Sequence, residues 1–509
     1  MTMMRGVFTV GFWTLVSRVM GFLRDVLIAG ALGASPVAEA FFLAFSLPNL
    51  FRRFFAEGAF NIAFVPMFSK KLASGDGPLE FARDALSMLA LVLIVLNALA
   101  MLAMPYLVWA MASGFVGDAR FDLTVLFGRI AFPYILFISL AALISGVLNS
   151  AGRFVAAAAA PVLLNICFIL ALFAAQWLGW DIGLTLAWSV PLAGIAQLAL
   201  TWRAAARAGF ALKVGLPKWT PDMRKMVQTA VPAALASGVM QINLVVGQLV
   251  ASRFDSAVSW LFAADRLYQL PLGVVGIAVG IVLLPDLSRR LKAKDDTGAR
   301  NAYSRAAEFS MALTIPSALA LMVIPLPLVS VLFGRGETGV DDVASIAVAV
   351  SIYGLGLPAF VMQKVLQPQY FARGDTSTPF YFALIAMVIN VVIAVGLAPI
   401  IGWMAPAIAT TVAGWSMMFL LIWGLRGMGD SAQLDQRYRE RLPRIGIAAV
   451  IMGGALWIGA IPLLPALDAP YVRYVALLVL ISIGAISYFG SAHLLGALRL
   501  SEIRQAIRR

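Results

Sequence analysis

Seven basic residues stand where hydrocarbon should exclude them. Arg18, Arg24, Arg52, Arg53, Arg129, Arg266 and Lys364 each lie inside a long apolar segment. The acids in the same segments are fewer: Asp25, Glu39, Glu57 and Asp265. An arginine at the centre of a membrane helix costs roughly 2.5–3.5 kcal/mol on insertion scales, so a group of them must face protein or a water-filled cavity. Arg129 is close to a helix end, where it can snorkel to the interface. Arg18 and Asp25 are seven apart, on one helix face, and Arg53 and Glu57 have the i, i+4 spacing of an ion pair. Arg266 follows Asp265 directly, and neighbouring side chains on a helix diverge. With every acid paired the set stays positive. A purely structural network would be near neutral, so the surplus points to an anionic ligand. Guanidinium groups suit bidentate phosphate contacts, and the chemistry implied is binding of a diphosphate or polyphosphate.

The elements that carry these residues must be transmembrane helices. Ser46, Asn49, Arg53, Glu57 and Asn61 recur at intervals of 3, 4, 4 and 4, which makes one polar stripe with Arg52 on its shoulder. Phe51, Phe54, Phe55, Ile62 and Phe64 lie opposite. A membrane helix with one polar face lines a cavity. Ser17, Gly21 and Arg24 share a side of the first helix.

Composition agrees. Of 509 residues 61% are hydrophobic and 12% charged, against roughly 25% charged in soluble domains. The net charge of +13 belongs to the positive-inside pattern of membrane proteins, not to nucleic-acid binding. Cys167 and His493 are single of their kind, so neither a disulfide framework nor a thiol or histidine metal site can be built; no cofactor is expected. The start is expected to be the first transmembrane helix and not a cleavable leader, because Arg18, Arg24 and Asp25 occupy the place of a cleavage site.

Fourteen helices are expected, near 7–31, 37–69, 85–112, 123–149, 156–178, 184–207, 224–252, 257–289, 303–333, 341–371, 378–399, 403–426, 443–464 and 471–497. Pro48, Pro66, Pro271, Pro285 and Pro358 are candidate bends. With the N-terminus in the cytoplasm, 27 basic residues fall in cytoplasmic segments and 4 (Arg120, Arg253, Arg335, Arg473) on the opposite side, which places both termini in the cytoplasm. The chain also repeats. Pro66 to Leu72 and Pro285 to Leu291 are similar heptads 219 residues apart, and Pro133 and Asn165 match Pro358 and Asn390. The expected fold is all-α and polytopic: two six-helix lobes, 1–218 and 219–428, and two extra helices in 429–509. Parallel repeats of this kind hold a central site between the halves.

Ser17-Arg18-Val-Met-Gly21-Phe-Leu-Arg24-Asp25, Leu47-Pro48-Asn49-Leu-Phe-Arg52-Arg53-Phe-Phe-Ala-Glu57-Gly58-Ala-Phe60 and Ala264-Asp265-Arg266-Leu-Tyr-Gln-Leu-Pro271-Leu-Gly273 closely resemble the MurJ (MviN) family of the multidrug/oligosaccharidyl-lipid/polysaccharide exporter superfamily. The resemblance covers the whole chain. It implies two lobes in a V shape, alternating access, and translocation of lipid II from the cytoplasmic to the periplasmic leaflet of the bacterial inner membrane. It implies that Arg18, Arg24, Arg52 and Arg266 bind substrate in a central cavity. Ser17 and Asn49 are the neutral partners, and Asp25, Glu39, Arg53, Glu57 and Asp265 the charged neighbours. It implies that the last two helices frame a groove for the undecaprenyl tail. Glu39 stands where many relatives have Asp, and Gln269 where some have an acid. Some relatives hold sodium on helices 7, 11 and 12, where this chain offers Asn243, Asn390, Ala394, Thr410 and Thr411, with no carboxylate. A cationic-drug antiporter would want acids in its cavity. A membrane-embedded transferase would need a carboxylate cluster on its loops. The competing reading is a flippase or exporter of another lipid-linked or anionic substrate in the same superfamily.

Overall fold

A lipid bilayer offers the backbone no hydrogen-bond partner, so an apolar chain of this length satisfies its amides internally as helix. The computed structural model describes residues 2–52, 60–239 and 241–498, and among them there is no strand. Contacts divide the chain into two compact units, residues 1–259 and 260–509.

The first unit holds α1 (Thr2–Leu32), α2 (Pro36–Arg52), α3 (Phe60–Ser74), α4 (Pro78–Leu102), α5 (Met104–Met111), α6 (Ala119–Ala131), α7 (Tyr134–Ser150), α8 (Val155–Leu178), α9 (Ile182–Arg207), α10 (Pro221–Val239) and α11 (Ile242–Ala251). The second holds most of α12 (Ala257–Lys292), then α13 (Asp296–Val323), α14 (Pro325–Phe333), α15 (Val340–Phe371), α16 (Ser377–Ile401), α17 (Ala405–Leu425), α18 (Gln436–Asp468) and α19 (Val472–Leu494). In the first unit α8 packs against α1 and α9, and α2 against α6, α7 and α9. A Cβ on Gly194 of α9 would come within 2.9 Å of Tyr134 of α7, so only glycine lets these two helices approach as they do. α10 and α11 pack on α3, α4 and α5, which is why the compact boundary falls after α11, later than the 218/219 boundary expected from the sequence repeat.

Nine stretches among the described residues are long and apolar enough to cross a membrane. The chain is a multi-pass membrane protein. α1, α2 and α12, which carry Arg18, Arg24, Arg52 and Arg266, are not among the nine. Helical structure runs through Pro48, Pro66, Pro271, Pro285 and Pro358. The expected single helices break instead at Ala103, Pro133 and Ile324. Pro105 and Pro325 then sit at the first positions of new helices, where a missing amide costs nothing.

The repeat is visible in atomic detail where α3 and α12 end. Asp76 N donates to Lys71 O at 3.2 Å and Asp295 N to Arg290 O at 2.9 Å. Lys71 Nζ reaches Asp76 Oδ2 at 3.2 Å, as Arg290 Nη1 reaches Asp295 Oδ2 at 3.2 Å. Each turn passes through a left-handed residue, Gly75 at φ 72° and Lys294 at φ 56°, as helix C-caps commonly do.

In the second unit α18 and α19 lie together against α13. Ala312, Ile445, Ala448, Ala449, Met452, Leu456 and Leu480 form their buried core, and the Tyr488 hydroxyl donates to Ala312 O at 2.5 Å. A Cβ on Gly484 would meet Leu456 at 2.9 Å, so the seam between the two helices is closed.

Candidate functional site

Arg24 is 7% exposed and Asp25 5%. Arg24 donates from Nε and Nη2 to Asp25 Oδ1 at 2.9 and 2.6 Å, and from Nη1 to Asn165 Oδ1 at 2.9 Å. Asn165 donates in turn to the Ser17 carbonyl at 2.9 Å. The guanidinium carbon lies 5.1 Å from the Phe168 ring centre and 5.8 Å from Phe45. Aromatic faces and an opposite charge together make a buried cation tolerable. The cluster ties α1 to α8 and α2.

Asp25 therefore pairs with Arg24, not with Arg18 seven residues earlier. Cβ directions diverge for neighbours, but the arginine side chain is long enough to fold back along the helix. Arg18 is exposed and has no hydrogen-bond or ion-pair partner among the described residues. On α2, Ser46 donates to Leu43 O at 2.7 Å and reaches Gln248 at 3.3 Å, while Asn49 donates to Phe45 O at 2.9 Å. Arg52 is half-buried at the end of α2. Arg53 and Glu57 lie outside the described residues.

Glu39 is not a neighbour of these groups. It sits in the first turn of α2, thirteen residues and about 20 Å of helix axis from Arg52. It is 1% exposed, accepts from Arg120 Nη1 at 2.9 Å and from the Val258 amide at 3.0 Å. Arg120 also meets Asp118 at 2.6 Å and Asp255 at 2.9 Å and stacks 4.6 Å from Phe115. Glu39 thus belongs to a second cluster at the other end of the unit, which joins the starts of α2, α6 and α12. The Arg120 amide, with the guanidinium behind it, holds the Asp118 carboxyl below its usual range.

On α12, Asp265 and Arg266 are half-buried. Asp265 accepts from Gln269, so Gln269 is a partner of the acid next to Arg266. Arg266 lies over Phe262 at 4.3 Å, and Tyr268 packs on Tyr353 of α15 at 5.0 Å. Arg129 donates to Met101 O at 3.1 Å, where the break after α4 leaves carbonyls to satisfy. Lys364 is exposed on α15.

Asn165 is the member of the Arg24 cluster that sequence reasoning took only as a repeat marker. Its signal was a lone amide in the apolar run of α8. Its counterpart Asn390 contacts Thr410 Oγ1 at 3.4 Å, and Thr411 donates to Ile352 O at 2.9 Å. Among the described residues no three His, Cys, Asp or Glu side chains gather as a metal site would require.

A family model described as "Lipid II flippase MurJ" matches residues 28–465. The chain belongs to the MurJ lipid II flippase family. A "Probable lipid II flippase MurJ" of Rhizobium meliloti (strain 1021) is 44% identical, covering 100% of this chain and 97% of the relative. A "Lipid II flippase MurJ" of Burkholderia cenocepacia is 36% identical, covering 90% of each. Among solved structures, "Lipid II flippase MurJ, inward closed conformation" matches with TM-score 0.80 at 24% identity, over 95% of this chain and 98% of that one. A multidrug resistance MATE family transporter in an inward-facing conformation matches with TM-score 0.70 at 14% identity, over 82% of this chain and 95% of that one. The fold is thus shared with polytopic transporters of the MOP superfamily.

Proposed function

We propose that this chain translocates lipid II across the bacterial inner membrane, from the cytoplasmic to the periplasmic leaflet, by alternating access. Arg18, Arg24, Arg52 and Arg266 form the diphosphate-binding set, with Ser17 and Asn49 beside them. The observation that carries the reading is a set of arginines on the apolar helices α1, α2 and α12 of a family-matched scaffold. Asp25 meets Arg24 and Asp265 meets Gln269, and Arg18 is exposed. Arg24, already held, is the pre-organised member of the set; a fixed guanidinium loses little freedom on meeting a phosphate. The apolar outward faces of α18 and α19, with Ile447, Ile451, Ile458, Val475 and Ile486 exposed, take the prenyl tail. Both termini are cytoplasmic.

The test is reconstitution. Purified chain in liposomes should deliver labelled lipid II to the opposite leaflet, and Arg18→Ala, Arg52→Ala and Arg266→Ala should each abolish delivery while leaving insertion intact. Full delivery by every one of these variants and by Arg24→Ala would sink the anion-binding role.

A further inference from the structure

The second unit contains a cavity of about 700 Å³ between α13, α15, α17 and the start of α18. Its wall is apolar, with Met311, Met362, Met418 and Ile422 among the lining, and its mouth carries Arg426 and Arg439. Folded interiors hold few voids larger than a water molecule, and apolar walls do not retain water. A space of this size inside a membrane unit fits a hydrocarbon chain, and unbranched methionine side chains adapt to one.

The charges at the mouth are not occupied by the protein. Just beside it, Glu308 gathers Arg305, Arg437 and Arg441, with Arg437 at 3.2 Å and Arg441 at 2.6 Å. Asp435 caps α18 by accepting from Tyr438 N at 2.8 Å and also binds Arg305. Those arginines hold the 296–310 and 430–441 segments together. Arg426 and Arg439 take no part. Both are exposed, and neither side chain has a hydrogen-bond or ion-pair partner among the described residues. Basic pockets between membrane helices on the cytoplasmic side are sites for anionic headgroups.

We propose that this cavity binds an anionic phospholipid of the cytoplasmic leaflet, an acyl chain lying between α13, α15 and α17 and the phosphate at Arg426 and Arg439. The assignment to that leaflet rests on the orientation proposed above. The site is separate from the transport residues, none of which lines the cavity.

The experiment uses the full chain in phosphatidylcholine vesicles carrying a phosphatidylglycerol with a photoactivatable acyl chain, or the same probe on phosphatidylcholine. The glycerol probe should label the segments around Met362 and Met418 in preference to the choline probe, by about fivefold for each arginine. Arg426→Gln with Arg439→Gln should bring that ratio close to one, and Met418→Trp should reduce labelling by both probes. Equal labelling of the intact chain by the two probes would overturn the proposal. So would a ratio unchanged in the double variant, or loss of label on adding equimolar undecaprenyl phosphate, which would make the occupant a prenyl chain. Lipid II delivery by the double variant in phosphatidylcholine vesicles should match the unaltered chain, so a failure here is distinguishable from a failure of the transport reading.

Discussion

Arg24 is held by three kinds of group at once: a carboxylate, an amide and two aromatic faces. Removing the amide should be felt. Asn165→Leu takes one hydrogen bond from a buried cation, worth about 1.5–3 kcal/mol, and should lower the unfolding temperature in detergent and reduce lipid II delivery. Arg24→Lys keeps the charge, but one ammonium cannot reproduce the fork on Asp25 and Asn165, so it should be impaired in both assays. Unchanged stability and delivery in both variants would show the cluster to be dispensable. Gly21→Ala is the matched control, since its Cβ would meet Asn165 at an ordinary 3.6 Å. A pH effect belongs to Asp118. Its carboxyl titrates below the usual range, so its contribution to stability is complete above the unfolded carboxylate pKa and disappears as pH falls through the lowered folded value. Asp118→Asn should flatten that acid limb of the unfolding profile. Sequence spacing found these arginines, because charge in an apolar run is conspicuous. It did not find their partners. Glu39 meets Arg120, 81 residues away, and Asp25 turns to its own neighbour. Such choices depend on side-chain reach and on which helices pack together, neither of which a periodicity records.

The helices themselves were legible, since long apolar runs have no other way to satisfy their amides. Their interruptions were less so. A proline inside a run and a proline opening a new helix look alike in sequence, and the difference lies in whether the preceding turn closes. The matched ends of α3 and α12 offer a sharper comparison. The first places Gly75 at positive φ and the second places Lys294 there, a conformation that costs an L-residue roughly 1–2 kcal/mol. Lys294→Gly should therefore raise the unfolding temperature, by an amount equivalent to about 1 kcal/mol. A drop would mean that the lysine side chain contributes more than its backbone costs. The Glu308 cluster should respond oppositely. Glu308→Ala leaves Arg441, 7% exposed, without its carboxylate, and breaking a buried pair from one side costs about 3–5 kcal/mol. Thermal unfolding that does not move would place the strength of this corner in the apolar packing instead.

At the scale of the whole molecule, the proposed orientation rests on arithmetic on loops: 27 basic residues against 4. The single Cys167 makes it testable. In a Cys167→Ser background, cysteines at Lys218 and Arg437 should react with an impermeant maleimide only after the membrane is opened, whereas a cysteine at Arg253 should react in intact spheroplasts. The reverse pattern would invert the protein and move the lipid site to the other leaflet.

The Arg24–Asp25 pair also has an electrical consequence. A helix that shifts in the bilayer does work against the membrane potential in proportion to its net charge, roughly 2.3 kcal/mol per elementary charge per 100 mV across the full field. Arg24 and Asp25 move as a neutral dipole, so their displacement is nearly free of voltage. Arg18, with no ion-pair partner among the described residues, carries its full charge through any such movement. The voltage dependence of delivery, read in liposomes under an imposed potassium diffusion potential, should therefore weaken in Arg18→Gln and steepen in Asp25→Asn, because the second substitution turns a silent pair into a gating charge.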